Sequence, residues 1–181
     1  MPGLVGLSSC CAFGARVDHP GGNLFDHLVR VSDLLGSWGA EEDIRLAGLC
    51  HAFYGTDGFR TSLLELDQRP RLAGVIGDRA EGWVYLYASC DRGAVYPGLS
   101  GSGPVQFRDR FTGESFVIGE ADARAFVELM AANELDLATV NDDFALQFGA
   151  DLLALFRSAR DRLSEPAWDA CSRVLAGPNA R

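Results

Sequence analysis

The residues of this chain best able to do chemistry are its three histidines, His19, His27 and His51. His27 lies between Leu24, Val31 and Leu34, and His51 follows Ile44, Ala47 and Gly48, so each imidazole falls on the apolar stripe of its own segment. Inward imidazoles on neighbouring helices can share a metal ion, and a carboxylate completes such a set for zinc, manganese or iron. Asp91, in the run SCDRG, is the candidate carboxylate, giving the set His27, His51 and Asp91. A metal there would lower the pKa of bound water to about 7 and so supply hydroxide. Without a metal, His27, His51 and Tyr54 are competent acid and base partners near neutral pH. His19 and Glu65 are further general acid or base candidates, and Asp57 in the YGTD loop is a further carboxylate in reach of the same region.

What the chain lacks is equally informative. All 16 basic residues are arginine, so no amine is available for a Schiff base to pyridoxal phosphate or for a Walker-type phosphate loop. The glycines of Gly21–Gly22 and Gly98–Gly103 therefore read as turns. A net charge of −9 with a sequence pI near 4.7 repels a phosphate backbone, and the arginines form no basic run, which excludes nucleic acid as the expected partner. Cys10, Cys11, Cys50, Cys90 and Cys171 form an odd set without a Cys-x-x-Cys pair and read as small core residues rather than a zinc ribbon or disulfide frame. No run reaches the roughly 18 apolar residues of a membrane span, and Met1–Ala15 lacks the basic start and apolar stretch of a signal peptide, so a cytoplasmic location is expected.

The elements that must position these groups are mostly helical. Asn23 is a helix cap before Leu24, Leu28, Val31 and Leu35, and a first helix is predicted over about Asn23–Leu35. Gly36 and Gly39 end it, and Glu41, Glu42 and Asp43 open a second helix that runs to about Tyr54–Gly55. A short helix over Thr61–Gln68 and a longer one from Pro70 through Arg92 follow. Residues 104–118 read as a β-hairpin around Thr112–Gly113, either a plain polar turn or a lid carrying Arg108, Arg110 or Glu114. Helices over Glu120–Leu137, Asp142–Arg162 and Pro166–Leu175 complete the chain, with Asn133–Glu134 read as exposed, capping or a pocket wall. No repeat or low-complexity linker divides the chain, so one mainly α domain over residues 1–181 is expected.

The segment FDHLVRVSDLLGSWGAEEDIRLAGLCHAFYGT resembles the opening of the HD superfamily, in which one helix supplies a histidine and the next ends in a His-Asp pair. The interval from His27 to His51 suits that arrangement, and the CDR at the end of the next helix resembles the superfamily's last metal-binding aspartate, carried over to Asp91. The layout is also similar to that of the alarmone hydrolases and of small bacterial HD-like domains with no assigned activity. The resemblance covers about Asn23–Arg92 and implies an HD-like helical bundle with a bound divalent metal. The chain departs from the pattern at Ala52, which stands where the paired aspartate belongs and removes a bridging ligand.

Four functions follow as expectations. Single-metal hydrolysis of a small, phosphorylated or unphosphorylated molecule is the leading one. A metal-free isomerase, cyclase or lyase using His27, His51 and Tyr54 is the second, and the loss of the aspartate at Ala52 favours it. A non-haem iron oxygenase and a non-catalytic ligand-binding domain are the others. Arg45, Arg60, Arg79 and Arg92 read either as solvated helix faces or as candidate anion binders, and Trp38, Tyr85 and Tyr87 read equally as core edges or as a homodimer face.

Overall fold

The computed structural model describes residues 18–19 and 22–176, with side chains from residue 22 onward. The chain is mainly helical with two small antiparallel strand pairs. The first pair, β1 (Asp18–His19) and β2 (Gly22–Asn23), leads directly into α1 (Leu24–Ser37). Asn23 caps α1 as its sequence predicts: the side-chain oxygen accepts from the Phe25 amide at 2.8 Å and the Asp26 amide at 3.3 Å. Such a cap contributes about 1 kcal/mol. Leu24, Leu28, Val31 and Leu35 are buried together with His27, so the apolar stripe read from the sequence is the face that packs.

Gly39, at φ +80°, turns the chain into α2 (Glu42–Cys50). The two helices approach closely at Gly48, where an added Cβ would stand 2.6 Å from Leu35 Cδ1. That close approach brings the α2 terminus over the middle of α1. The helix stops at Cys50, earlier than its pattern predicts, because His51 is its cap and residues 51–54 form a turn closed by Gly55 at φ +69°.

The predicted helix over Thr61–Gln68 is reduced to one 3₁₀ turn, Leu66–Gln68. The amides of Leu63 and Leu64 both donate to the Phe53 carbonyl, at 2.8 and 2.9 Å, so this stretch is tied to the turn after α2 rather than to itself. Glu65 and Gln68 form a reciprocal capping box on that 3₁₀ turn. The long helix expected from Pro70 breaks at Gly77, φ +88°, into α3 (Arg69–Ile76) and α4 (Asp78–Ser89). Asp91 then caps the four-residue α5 (Arg92–Val95).

The predicted hairpin is present as β3 (Val105–Arg108) and β4 (Ser115–Ile118). Asp109 closes its turn by accepting from the amides of Phe111 at 2.7 Å and Thr112 at 3.2 Å, while Tyr85 donates to its other oxygen at 2.6 Å. Arg110 donates through Nε to the Ala88 carbonyl at 2.7 Å, which anchors the hairpin to the end of α4. None of the hairpin residues lines the cavity described below, so the hairpin is a braced turn and not its lid.

A central helix, α6 (Glu120–Val140), is buried on all sides from Ala123 to Ala138 apart from Arg124 and Glu128. After it, α7 (Asp142–Ser158), a 3₁₀ turn at Arg160–Arg162 and α8 (Glu165–Leu175) pack against one side. One continuous apolar core runs from Leu24 to Leu175. Trp38 and Tyr87 belong to that core, at 8% and 3% exposure, which favours their reading as core edges over a dimer face. Cys50, Cys90 and Cys171 are buried in the core, as expected, whereas Cys10 and Cys11 lie outside the described residues. Among the described residues no helix is long and apolar enough to cross a membrane.

Candidate functional site

α1 presents His27 and Arg30 three residues apart, and α6 presents Asn133 and Asp136 three residues apart, so each pair shares one helix face. The two faces meet. His27 Nδ1 lies 2.6 Å from Asp136 Oδ2, and Arg30 holds the same carboxylate through Nε at 2.6 Å and its terminal nitrogen at 2.9 Å. Burial alone would raise the pKa of Asp136, but the hydrogen bonds from His27 and Arg30 outweigh it and hold the carboxyl below its ordinary value.

The second imidazole arrives from the end of α2. His51 Nε2 stands 3.3 Å from His27 Nε2, and the rings meet edge to face at 78°. His51 Nδ1 donates to the Gly48 carbonyl at 2.7 Å, an acceptor-only group, which fixes that nitrogen as the protonated one. His27 Nδ1 is a donor on the same argument, because its partner is an ionised carboxylate. With these tautomers the two Nε2 lone pairs face each other, in a place that a shared hydrogen would bridge. Asn133 Oδ1, 3.1 Å from His27 Nε2, is ready to accept it. Asn133 also steadies the charged form of the neighbouring Glu134 carboxyl, against the effect of its burial.

Both imidazoles are buried, at 0% and 1% exposure, and His51 lines a cavity of about 460 Å³. Asn133 and Glu134 also line it, as do Thr56 and Arg92. Glu134 is paired with Arg92 at 3.3 Å, yet burial lifts its carboxyl above the ordinary range despite that cation. The backbone amide of Arg92 is held by Asp57 Oδ2 at 3.2 Å, so Asp57 positions the cavity's arginine without lining the cavity itself.

The other residues singled out in the sequence sit elsewhere. Asp91 turns one oxygen to the Ala94 amide at 3.1 Å and the other toward Arg108 Nε at 3.4 Å, so it caps α5 instead of joining the histidines. Among the described residues no three His, Cys, Asp or Glu side chains gather where they could hold one ion. Tyr54 donates to Glu81 Oε1 at 3.0 Å, a carboxylate also held by Arg69, and it does not line the cavity. Glu65 is an exposed capping residue. His19 is paired through its backbone with Gly22, and its side chain lies outside the described residues. Of the arginines, Arg79 is spent on exposed pairs with Glu41 and Asp43, and Arg92 alone among the four candidates lines the cavity.

Among the described residues the metal set implied by the HD resemblance is therefore not assembled. Two nitrogens and one neutral amide oxygen converge, Ala52 supplies no carboxylate, and the Asn133 oxygen faces His27 Nε2 as a hydrogen-bond acceptor. These donors do not fit a two-histidine-plus-carboxylate centre.

Tyr87 packs its ring edge-on against His51 with centroids 5.4 Å apart, and its buried hydroxyl has no partner among the described residues. Replacing a hydroxyl that makes no hydrogen bond removes a desolvation cost. Tyr87→Phe is therefore expected to leave the melting temperature unchanged or to raise it by a few degrees, read by calorimetry. A loss of stability would show that the hydroxyl has a partner.

The comparisons bear on half of this constellation. A family model described as a domain of unknown function, DUF6817, matches residues 11–92. The chain is similar to that family over this stretch. The match takes in α1 through α4, with both histidines, and stops before α6, which supplies Asn133, Glu134 and Asp136. No curated protein and no solved structure matches the chain.

Proposed function

We propose that the protein is a metal-free acid–base enzyme of the isomerase, cyclase or lyase class, moving a proton on a small molecule held in the cavity at His51. One observation carries this reading: two buried imidazoles with both Nδ1 atoms committed as donors face each other at 3.3 Å through Nε2, beside a cavity of about 460 Å³. With a hydrogen between them the pair is an acid, and without it a base. Asp136 behind His27 compensates the charge when that hydrogen is present, and Asn133 offers it a second acceptor. His51 is the member that meets substrate, because it lines the cavity. His27 is the positioning member, clamped by Asp136.

The pair gives its shared hydrogen to the substrate oxygen, and the Nε2 position so emptied takes the proton from the neighbouring carbon, so the pair ends as it began, nothing is oxidised and no group is lost in the isomerase case. 2-Tetralone, an apolar ring ketone with acidic α-hydrogens, is the test compound. In D₂O the protein is expected to accelerate α-deuteration by about 10²-fold or more over buffer, followed by mass spectrometry. Dialysis against EDTA is expected to leave that rate unchanged. A rate that collapses with EDTA and returns with zinc or manganese would replace this reading with the single-metal one.

A further inference from the structure

The charged groups at the cavity argue for the kind of molecule it takes. Its walls are apolar and aromatic, with Phe59 on one side and Phe144, Phe148, Leu152 and Leu155 of α7 on the other. Arg92 is the one arginine among the lining residues, and the buried Glu134 carboxylate is paired with it, while the charge on the His27–His51 pair is compensated by Asp136. A second carboxylate, Asp151, stands in the α7 wall. An incoming phosphate or carboxylate would compete with Glu134 for Arg92 and face two acidic groups, and weakening the pairing of a buried carboxylate is costly. An uncharged molecule meets no such cost. It gains from the apolar walls, and its one polar group meets the polar end of the cavity at His51 and Asn133.

Resting on the acid–base reading of the same site, we infer that the substrate is an uncharged, mainly apolar ring compound bearing a single hydroxyl or carbonyl group, and that the Arg92–Glu134 pair with Asp151 excludes anions. This departs from the phosphorylated substrate that the HD resemblance allows.

The test is a matched series of probes that share one ring system: 2-naphthol, 2-naphthyl phosphate and the cationic 2-naphthylmethylamine, titrated by calorimetry at neutral pH and moderate salt. 2-Naphthol is expected to bind at least tenfold more tightly than either charged probe. In Leu152→Trp, which fills the cavity from α7, its affinity is expected to fall at least tenfold while the circular dichroism spectrum is retained. In Asp151→Asn, at an exposed position that tolerates the change, 2-naphthyl phosphate is expected to gain severalfold while 2-naphthol is unchanged. Equal or tighter binding of the phosphate by the unaltered protein, tighter binding of the amine, or no binding of any probe would each overturn the inference. These readouts do not depend on deuterium exchange, so the substrate class and the acid–base reading can fail separately.

Discussion

Asp136→Asn is expected to destabilise the fold by about 3 kcal/mol at pH 7, since it removes the charge on which two buried or half-buried cations and donors converge. For a chain of this size that corresponds to a fall in melting temperature of roughly 6–12 °C. His27 Nδ1 at 2.6 Å and the two Arg30 nitrogens at 2.6 and 2.9 Å all address this one carboxylate, and the neutral amide can satisfy only part of that set. The pH dependence carries a definite sign. The Asp136 carboxyl is held below its unfolded value of 3.8, so its contribution is present above that value and is lost as pH falls through the lower folded value. The gap between wild type and Asp136→Asn is therefore expected to be widest at neutral pH and to close in acid, read from urea titrations at pH 7 and pH 3. A gap of constant size would mean that the ionised form is not what matters.

His51→Ala is expected to reduce deuterium exchange into 2-tetralone by about 10²-fold to 10⁴-fold, to the level of buffer, because it deletes the only imidazole that lines the cavity among the described residues. Its effect on folding is expected to be smaller than that of Asp136→Asn. The Gly48 carbonyl that accepts from His51 can turn to water admitted by the adjoining cavity. His27→Ala is expected to weaken exchange and stability together, since it also strands Asp136. Unchanged exchange in His51→Ala would remove the imidazole from the reaction.

The two histidines were legible because they sit on amphipathic stripes with a four-residue loop between helices, and such helices can only pack side by side. Their carboxylate was not. Asp91 follows a helical pattern that reads through Gly77, and an aspartate at that point serves equally as the last residue of one helix or the cap of the next. The structure uses it as the cap. The polar run NELD in α6 looks like solvated surface when read alone. Its neighbours, Phe126, Leu129, Met130, Leu135 and Leu137, spread apolar side chains around the whole circumference of α6, which means the helix is buried and its polar residues must be partnered inside. That was the available signal for Asn133, Glu134 and Asp136. The failed helix at Thr61–Gln68 has a different origin, a tertiary tie to Phe53 that no local pattern carries.

The four ring nitrogens of His27 and His51 are expected to carry three hydrogens, one on each Nδ1 and one shared at the facing Nε2 atoms. Long-range proton–nitrogen correlation spectra of uniformly ¹⁵N-labelled protein at neutral pH read this directly. Both Nδ1 signals are expected in the protonated range, with a single hydrogen coupled to the Nε2 pair. A His51 ring protonated at Nε2 with a bare Nδ1, or two rings carrying one hydrogen each, would contradict it.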